Sequence, residues 1–192
     1  MTLVMTSGPL AEPVSVADAK AHMRIDSTAE DALIASLIVT SRLHIEAALG
    51  LALLTQAWSY FVDAWPRSRE IVLPLKPVQA VAIVRVWAQD GTSRTVSADT
   101  FTLDGEGTPP RLVLSRSAAP PAPGRSASGI EIAFDAGYGD AGADVPAPIR
   151  QALLLLVAHW FENREPHRAN APDTEIPHMI SALLALYRGR RL

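Results

Sequence analysis

His159, Glu162 and His167 are the side chains best suited to hold a metal ion, because a histidine and a glutamate three apart on a helix can face one site. Their setting argues against it. Glu162-Asn163-Arg164-Glu165-Pro166-His167-Arg168 reads as a solvated helix end whose cations suit the C-terminal dipole, and Pro166 takes His167 out of helical register. Asp26, Glu30 and Asp31 form an acidic cluster that could pair for acid-base work or hold a cation. At a helix start they are explained more simply, as capping and dipole-matched charges. No serine sits in a nucleophile-elbow context and no glycine-rich loop carries the lysine of a phosphate cradle. The absence of cysteine removes thiol catalysis, disulfides and zinc-thiolate sites together. No catalytic residue, metal or cofactor is expected.

Two further groups point to binding. Trp58, Tyr60, Phe61, Trp65 and Trp87 could stack the bases of a single strand, but such a platform needs interleaved cations, and only Arg67, Arg69 and Arg85 are near. Core and subunit packing is the expected use. Arg188, Arg190 and Arg191 close the chain and could touch phosphates, lie free in solvent, or dock on a partner. The net charge of -3 argues against a surface dominated by phosphate contacts. Charge is unevenly spread: residues 1–50 carry six acids against three bases, and residues 146–192 six bases against four acids. The longest apolar run, Ala152–Ala158, is far short of the ~18 residues of a spanning helix, and the first ten residues lack the basic start and apolar stretch of a signal peptide. A soluble protein with no membrane partner is expected.

The elements that must position these residues are legible from periodicity and punctuation. Ser15 with Asp18 three residues on predicts a capped helix to about Met23, and Ser27 with Glu30 repeats the device. Leu33, Ile34, Leu37, Ile38, Ile45 and Leu49 then recur at helical spacing until Gly50, with a fold-back at Arg24-Ile25-Asp26. Val, Ile, Trp, Tyr and Phe between turn residues predict strands near 56–63, 70–73, 78–88, 93–96, 100–103, 111–114 and 129–135. Asp90-Gly91 is the best hairpin turn, and the prolines of Pro120-Pro121-Ala122-Pro123 demand a loop. Pro146 and Pro148 open a third, deeply buried helix through Ile149, Leu153, Leu156, Val157 and Trp160. Asp173-Thr174 and Pro177 open a last one through Ile180, Leu183, Leu184 and Tyr187.

The expected fold class is therefore α+β: a small helical bundle of two N-terminal and two C-terminal helices with an antiparallel β insertion. The expected divisions are 1–54 for the N-terminal helical part, 55–136 for the β insertion and 137–192 for the C-terminal helices and tail.

Several segments, in order along nearly the whole chain, carry a family likeness. Pro13-Val14-Ser15-Val16-Ala17-Asp18-Ala19-Lys20, Arg24-Ile25-Asp26, Glu30-Asp31, Ile45-Glu46 and Leu54-Thr55-Gln56-Ala57-Trp58 lead. Asp63-Ala64-Trp65-Pro66, Leu73-Pro74-Leu75-Lys76-Pro77-Val78, Phe134-Asp135-Ala136-Gly137-Tyr138-Gly139, Val145-Pro146 with Ile149, and Trp160-Phe161-Glu162-Asn163-Arg164-Glu165 follow. In these the chain resembles the phage head-tail connector (adaptor) family, which includes gene transfer agent adaptors. The resemblance implies a structural particle protein, not an enzyme. Such a protein forms a closed ring, commonly dodecameric, beneath the portal, joins portal to tail, and lines the channel through which DNA passes without sequence-specific binding. It implies the portal and the next neck, stopper or tail protein as partners, no cofactor, a place in the particle neck, and assembly in the bacterial cytoplasm. Docking into the portal would fall on Leu186, Tyr187, Arg188, Arg190, Arg191 and Leu192. A nucleic-acid-binding module acting in DNA packaging is the alternative from another class.

Overall fold

A computed structural model describes residues 1–163 and 178–188 of the chain. In chain order its elements are β1 (Thr2–Ser7), α1 (Val16–Met23), α2 (Asp31–Leu49), β2 (Gln56–Val62), β3 (Glu70–Val72), β4 (Val78–Trp87), β5 (Ser93–Thr95), β6 (Phe101–Asp104), β7 (Arg111–Leu114), β8 (Ile130–Ala136), α3 (Ala147–Glu162) and α4 (His178–Leu184). The architecture is α+β, with helices toward both ends of the chain and antiparallel sheets between them. Contacts divide it into two units: Met1–Pro9 with Thr55–Tyr138, and Leu10–Leu54 with Gly139–Leu192.

The strand unit holds a five-stranded sheet in the order β1-β2-β8-β4-β5 and a three-stranded sheet in the order β3-β7-β6. All pairings are antiparallel. Period-two alternation sets the register of the central strand. Ile130, Ile132, Phe134 and Ala136 point to one face and are at most 1% exposed, opposite Val62, Tyr60, Trp58 and Gln56 of β2. A slip by one residue would expose that whole set, so register is strongly specified. In the smaller sheet Ile71, Leu112 and Leu114 are buried, and β3 is an edge strand that ends before Pro74.

Turn chemistry fixes the hairpin between β4 and β5. Gly91 sits at φ +90°, and Asp90 Oδ1 accepts from the Thr92 N–H at 2.9 Å and from its hydroxyl at 2.7 Å. The proline-rich stretch is a loop, as its composition requires, and is held down at three points. Arg69 donates through Nη2 to the Ser115 and Ala118 carbonyls, the latter at 2.7 Å, Trp65 Nε1 donates to the Pro121 carbonyl at 2.8 Å, and the Gly124 N–H donates to the Trp87 carbonyl at 2.9 Å.

One element was not legible beforehand. β1 carries no reading as a strand in the sequence, yet Thr2–Met5 pair in register with Phe61–Trp58. As an edge strand with one neighbour it is largely exposed and so lacks the buried alternation by which strands are recognised.

In the helical unit, α3 packs against α1, α2 and α4, and α1 also packs against α2. Ile149, Ala152, Leu153, Leu156 and Val157 are fully buried along α3, which makes it the centre of the bundle. Each of its buried isoleucine, leucine and valine side chains contributes ~1.5–3 kcal/mol by leaving water. Ser15 caps α1 in a reciprocal box with Asp18: its hydroxyl accepts from the Asp18 N–H at 3.0 Å while its own N–H donates to the Asp18 carboxylate at 3.0 Å. The second box expected at Ser27 does not form. Ser27 Oγ accepts instead from the Ala29 N–H at 3.2 Å, Thr28 O closes a turn onto the Asp31 N–H at 3.3 Å, and α2 starts at Asp31 with Glu30 as its cap residue. A hydroxyl bonded two residues on stabilises a turn in place of a helix start. The expected opening of α4 at Asp173-Thr174 and Pro177 lies outside the described residues, and the helix is described from His178.

By length and hydropathy alone α2 could cross a membrane. Its buried Arg42 and Glu46, joined in the ion network described below, and its packing against α1 and α3 mark it as a helix of the bundle.

Candidate functional site

The docking candidates follow α4, which Ile180 and Leu184 hold in place as its buried residues, 1% and 5% exposed. A 3-10 turn, Ala185–Tyr187, then carries the chain away. Leu186 is 86% exposed, Tyr187 is half-buried and Arg188 is exposed. Arg190, Arg191 and Leu192 lie outside the described residues. Leu186 stands beside Tyr187 and Arg188, and tyrosine and arginine are residue types enriched where proteins meet.

The residues considered for metal chemistry are placed otherwise. His159 and Glu162 end α3, where Asn163 Nδ2 donates to the His159 carbonyl at 2.8 Å and lies 3.3 Å from His159 Nδ1. The same carbonyl accepts from the Asn163 backbone N–H at 3.1 Å, so the asparagine closes the helix end through both its main chain and its side chain. His167 falls outside the described residues. Asp31 is taken by Lys20, whose Nζ is 2.8 Å from Oδ1, while Asp26 is exposed. Among the described residues no group of three His, Asp or Glu side chains could hold an ion.

Nor do the aromatic residues assemble into a stacking platform. Trp58 and Tyr60 lie on one face of β2 and Phe61 on the other. Trp65 is in the loop after β2, tied to Pro121, and Trp87 ends β4 with the Arg125 guanidinium 4.7 Å above its ring. Of the three cations nearest the strands, Arg69 is in the loop clamp and Arg85 pairs with Glu131, 3.5 Å away on the sheet face that also carries Ser59, while Arg67 is exposed in the loop after β2.

Sequence reasoning missed a buried ion network in the helical unit. Arg42, 6% exposed, donates through Nε and Nη2 to Glu12 at 2.8 and 3.2 Å and through Nη1 to Glu46 at 2.9 Å. The second Glu46 oxygen accepts from the Leu53 N–H at 2.9 Å. Burial disfavours the charged guanidinium, but the two carboxylates outweigh it and hold the Arg42 pKa above its usual value. The network pins the segments before α1 and after α2 to α2 itself, and with them the fully buried run Leu51–Leu54. The spacing of Arg42 and Glu46 was a visible signal, since residues four apart share a helix face. Nothing in the sequence pointed to Glu12, thirty positions away.

What the described residues offer is surfaces and positioned segments, and comparison with known proteins bears on which surfaces matter. The family model of head completion proteins matches residues 12–189. The chain belongs to the head completion protein family. With the family comes a structural role at the head-tail neck. Among solved structures, this head completion protein is similar at 25% identity to a chain in the neck of an empty gene transfer agent particle computed with C6 symmetry, with a TM-score of 0.85. It is equally similar in sequence to chains in the virion of a native gene transfer agent particle, TM-score 0.84, and in the neck of a native particle computed with C12 symmetry, TM-score 0.82. In each case the match covers 100% of this chain and 97% of the other. No curated protein matches the head completion protein at a significant level.

Proposed function

We propose that this head completion protein forms a closed ring between the portal and the tail, lines the DNA exit channel, and docks on the portal through Leu186, Tyr187, Arg188, Arg190, Arg191 and Leu192. The observation that carries the reading is the full-length likeness to neck chains: both units and the segments joining them are matched together, at 25% identity over 100% of the chain. A ring of identical subunits requires two different complementary faces on each copy. DNA would pass without sequence-specific contact, which agrees with a net charge of -3 and with aromatic residues dispersed over separate faces and loops. A short tail repeated around a ring would gain avidity through multivalency, so each copy needs only modest affinity. The partners on this reading are the portal above and a stopper or tail protein below, and assembly takes place in the bacterial cytoplasm.

The test is removal of the protein from a particle-producing cell. DNA-filled heads and separate tails that fail to join are the expected outcome. Normal tailed particles in its absence would overturn the reading.

A further inference from the structure

α2 reverses the usual arrangement of a surface helix. Its charged side chains Arg42 and Glu46 are buried in the ion network and Asp31 is paired with Lys20. What it turns outward is a strip from Ala32 to Ala48 in which Ser36, Val39, Thr40, Leu43, His44 and Ala47 are exposed and none is Asp, Glu, Lys or Arg, over ~24 Å of helix. Val39 is 37% and Leu43 50% exposed. A solvated helix face normally carries its polar and charged residues.

The same unit has a second face of this kind. α4 contains no Asp, Glu, Lys or Arg, and beyond its buried Ile180 and Leu184 it exposes His178 at its start, Met179, at 60%, and Ala182. Both α2 and α4 pack on α3 through their other sides. Among the described residues nothing covers either outward face.

We infer that the outward face of α2 on one copy packs against the outward face of α4 on the next copy in the ring. The inference rests on the ring reading above and names the surfaces that close it. The occupant is a second copy of this chain, because the unit supplies two different uncharged faces. A head-to-tail contact repeated about an axis consumes one of each per subunit. Alanine and serine along α2 allow close approach, with Val39 and Leu43 standing between them to meet Met179. Packing α2 against its own equivalent would leave the α4 face uncovered in every copy, and a charged partner would find no counter-charge on either face.

The chain has no cysteine, so introduced thiols are the only ones it carries. Particles are assembled with the Leu43→Cys/Met179→Cys chain, or with either single variant, and treated with a short bis-maleimide. The double variant should give a covalent ladder of this chain alone, extending over many copies, while each single variant should stay a single subunit. Dimers from Leu43→Cys alone would overturn the inference by showing α2 against α2. A double variant present in the neck without a ladder would overturn the α2-α4 contact alone. A chain absent from the neck would overturn the ring reading and the contact with it.

Discussion

Arg42 holds Glu12 in a two-pronged grip at 2.8 and 3.2 Å while its remaining nitrogen donates to Glu46, whose other oxygen accepts from the Leu53 N–H, so one buried ion network ties together three stretches of chain. A buried ion pair is a weak source of net stability when intact, but removing one partner strands the other charge in a medium that solvates it poorly.

Glu46→Ala should therefore cost ~3–5 kcal/mol, since it leaves Arg42 short of a carboxylate and the Leu53 N–H without an acceptor. Glu12→Ala, at a site nearer solvent, should cost ~1.5–3 kcal/mol. Urea denaturation of the two variants should preserve that order. Equal and small losses would show that the network contributes little.

Ser15→Ala removes the cap of α1 and should cost ~1 kcal/mol. The same box makes stability depend on pH. Hydrogen bonds from Ser15 hold the Asp18 carboxyl below its usual value, so its contribution is fully present above about pH 4 and is lost as pH falls through the lower folded value. The stability difference between the natural chain and Asp18→Asn should shrink on acidification through that window. A difference independent of pH would contradict the assignment.

Gly142→Ala should be destabilising by ~1–3 kcal/mol, because a Cβ there would stand 2.5 Å from the Pro13 carbonyl oxygen, a backbone atom that cannot swing aside. Thermal unfolding measures it, and a neutral result would mean the chain before α1 is free to shift.

Arg69→Ala removes the clamp on the Ser115 and Ala118 carbonyls and should raise amide hydrogen exchange across residues 115–124 by at least ~10-fold, with little change in β8. Unchanged exchange in that loop would show that Trp65 and Gly124 suffice to hold it.

Much of the fold was legible because its signals are local. The strand ranges from 56 to 135 lie within a residue or two of the observed β2–β8, since β-branched and aromatic runs broken by proline and glycine leave few alternatives. Asp90-Gly91 made the expected hairpin for the same reason. Where the sequence misled, the cause was a device with two uses. Ser15 and Ser27 present the same spacing to a carboxylate, yet only the first bonds the helix, because the second hydroxyl reaches a nearer N–H.

Features made by distant partners were not legible. β1 becomes a strand only by pairing with β2 more than fifty residues later, and Glu12 acquires a role only once Arg42 is beside it. The outward face of α2 was hidden by the opposite effect. Arg42 and Glu46 give the sequence the look of a charged helix surface, and only the structure turns both inward. Arg188 stood out by charge, but Leu186 and Tyr187 were singled out by a family resemblance, since nothing in their local pattern separates a docking segment from a solvated end.

Docking on the portal is tested most directly by the mass of the complex formed when the purified chain is mixed with its portal ring, measured under native conditions for the full-length chain and for one ending at Ala185. A stoichiometric ring-on-ring complex that is lost on truncation is the predicted result. A portal ring that keeps its own mass in the presence of the full-length chain would contradict the neck role proposed for it.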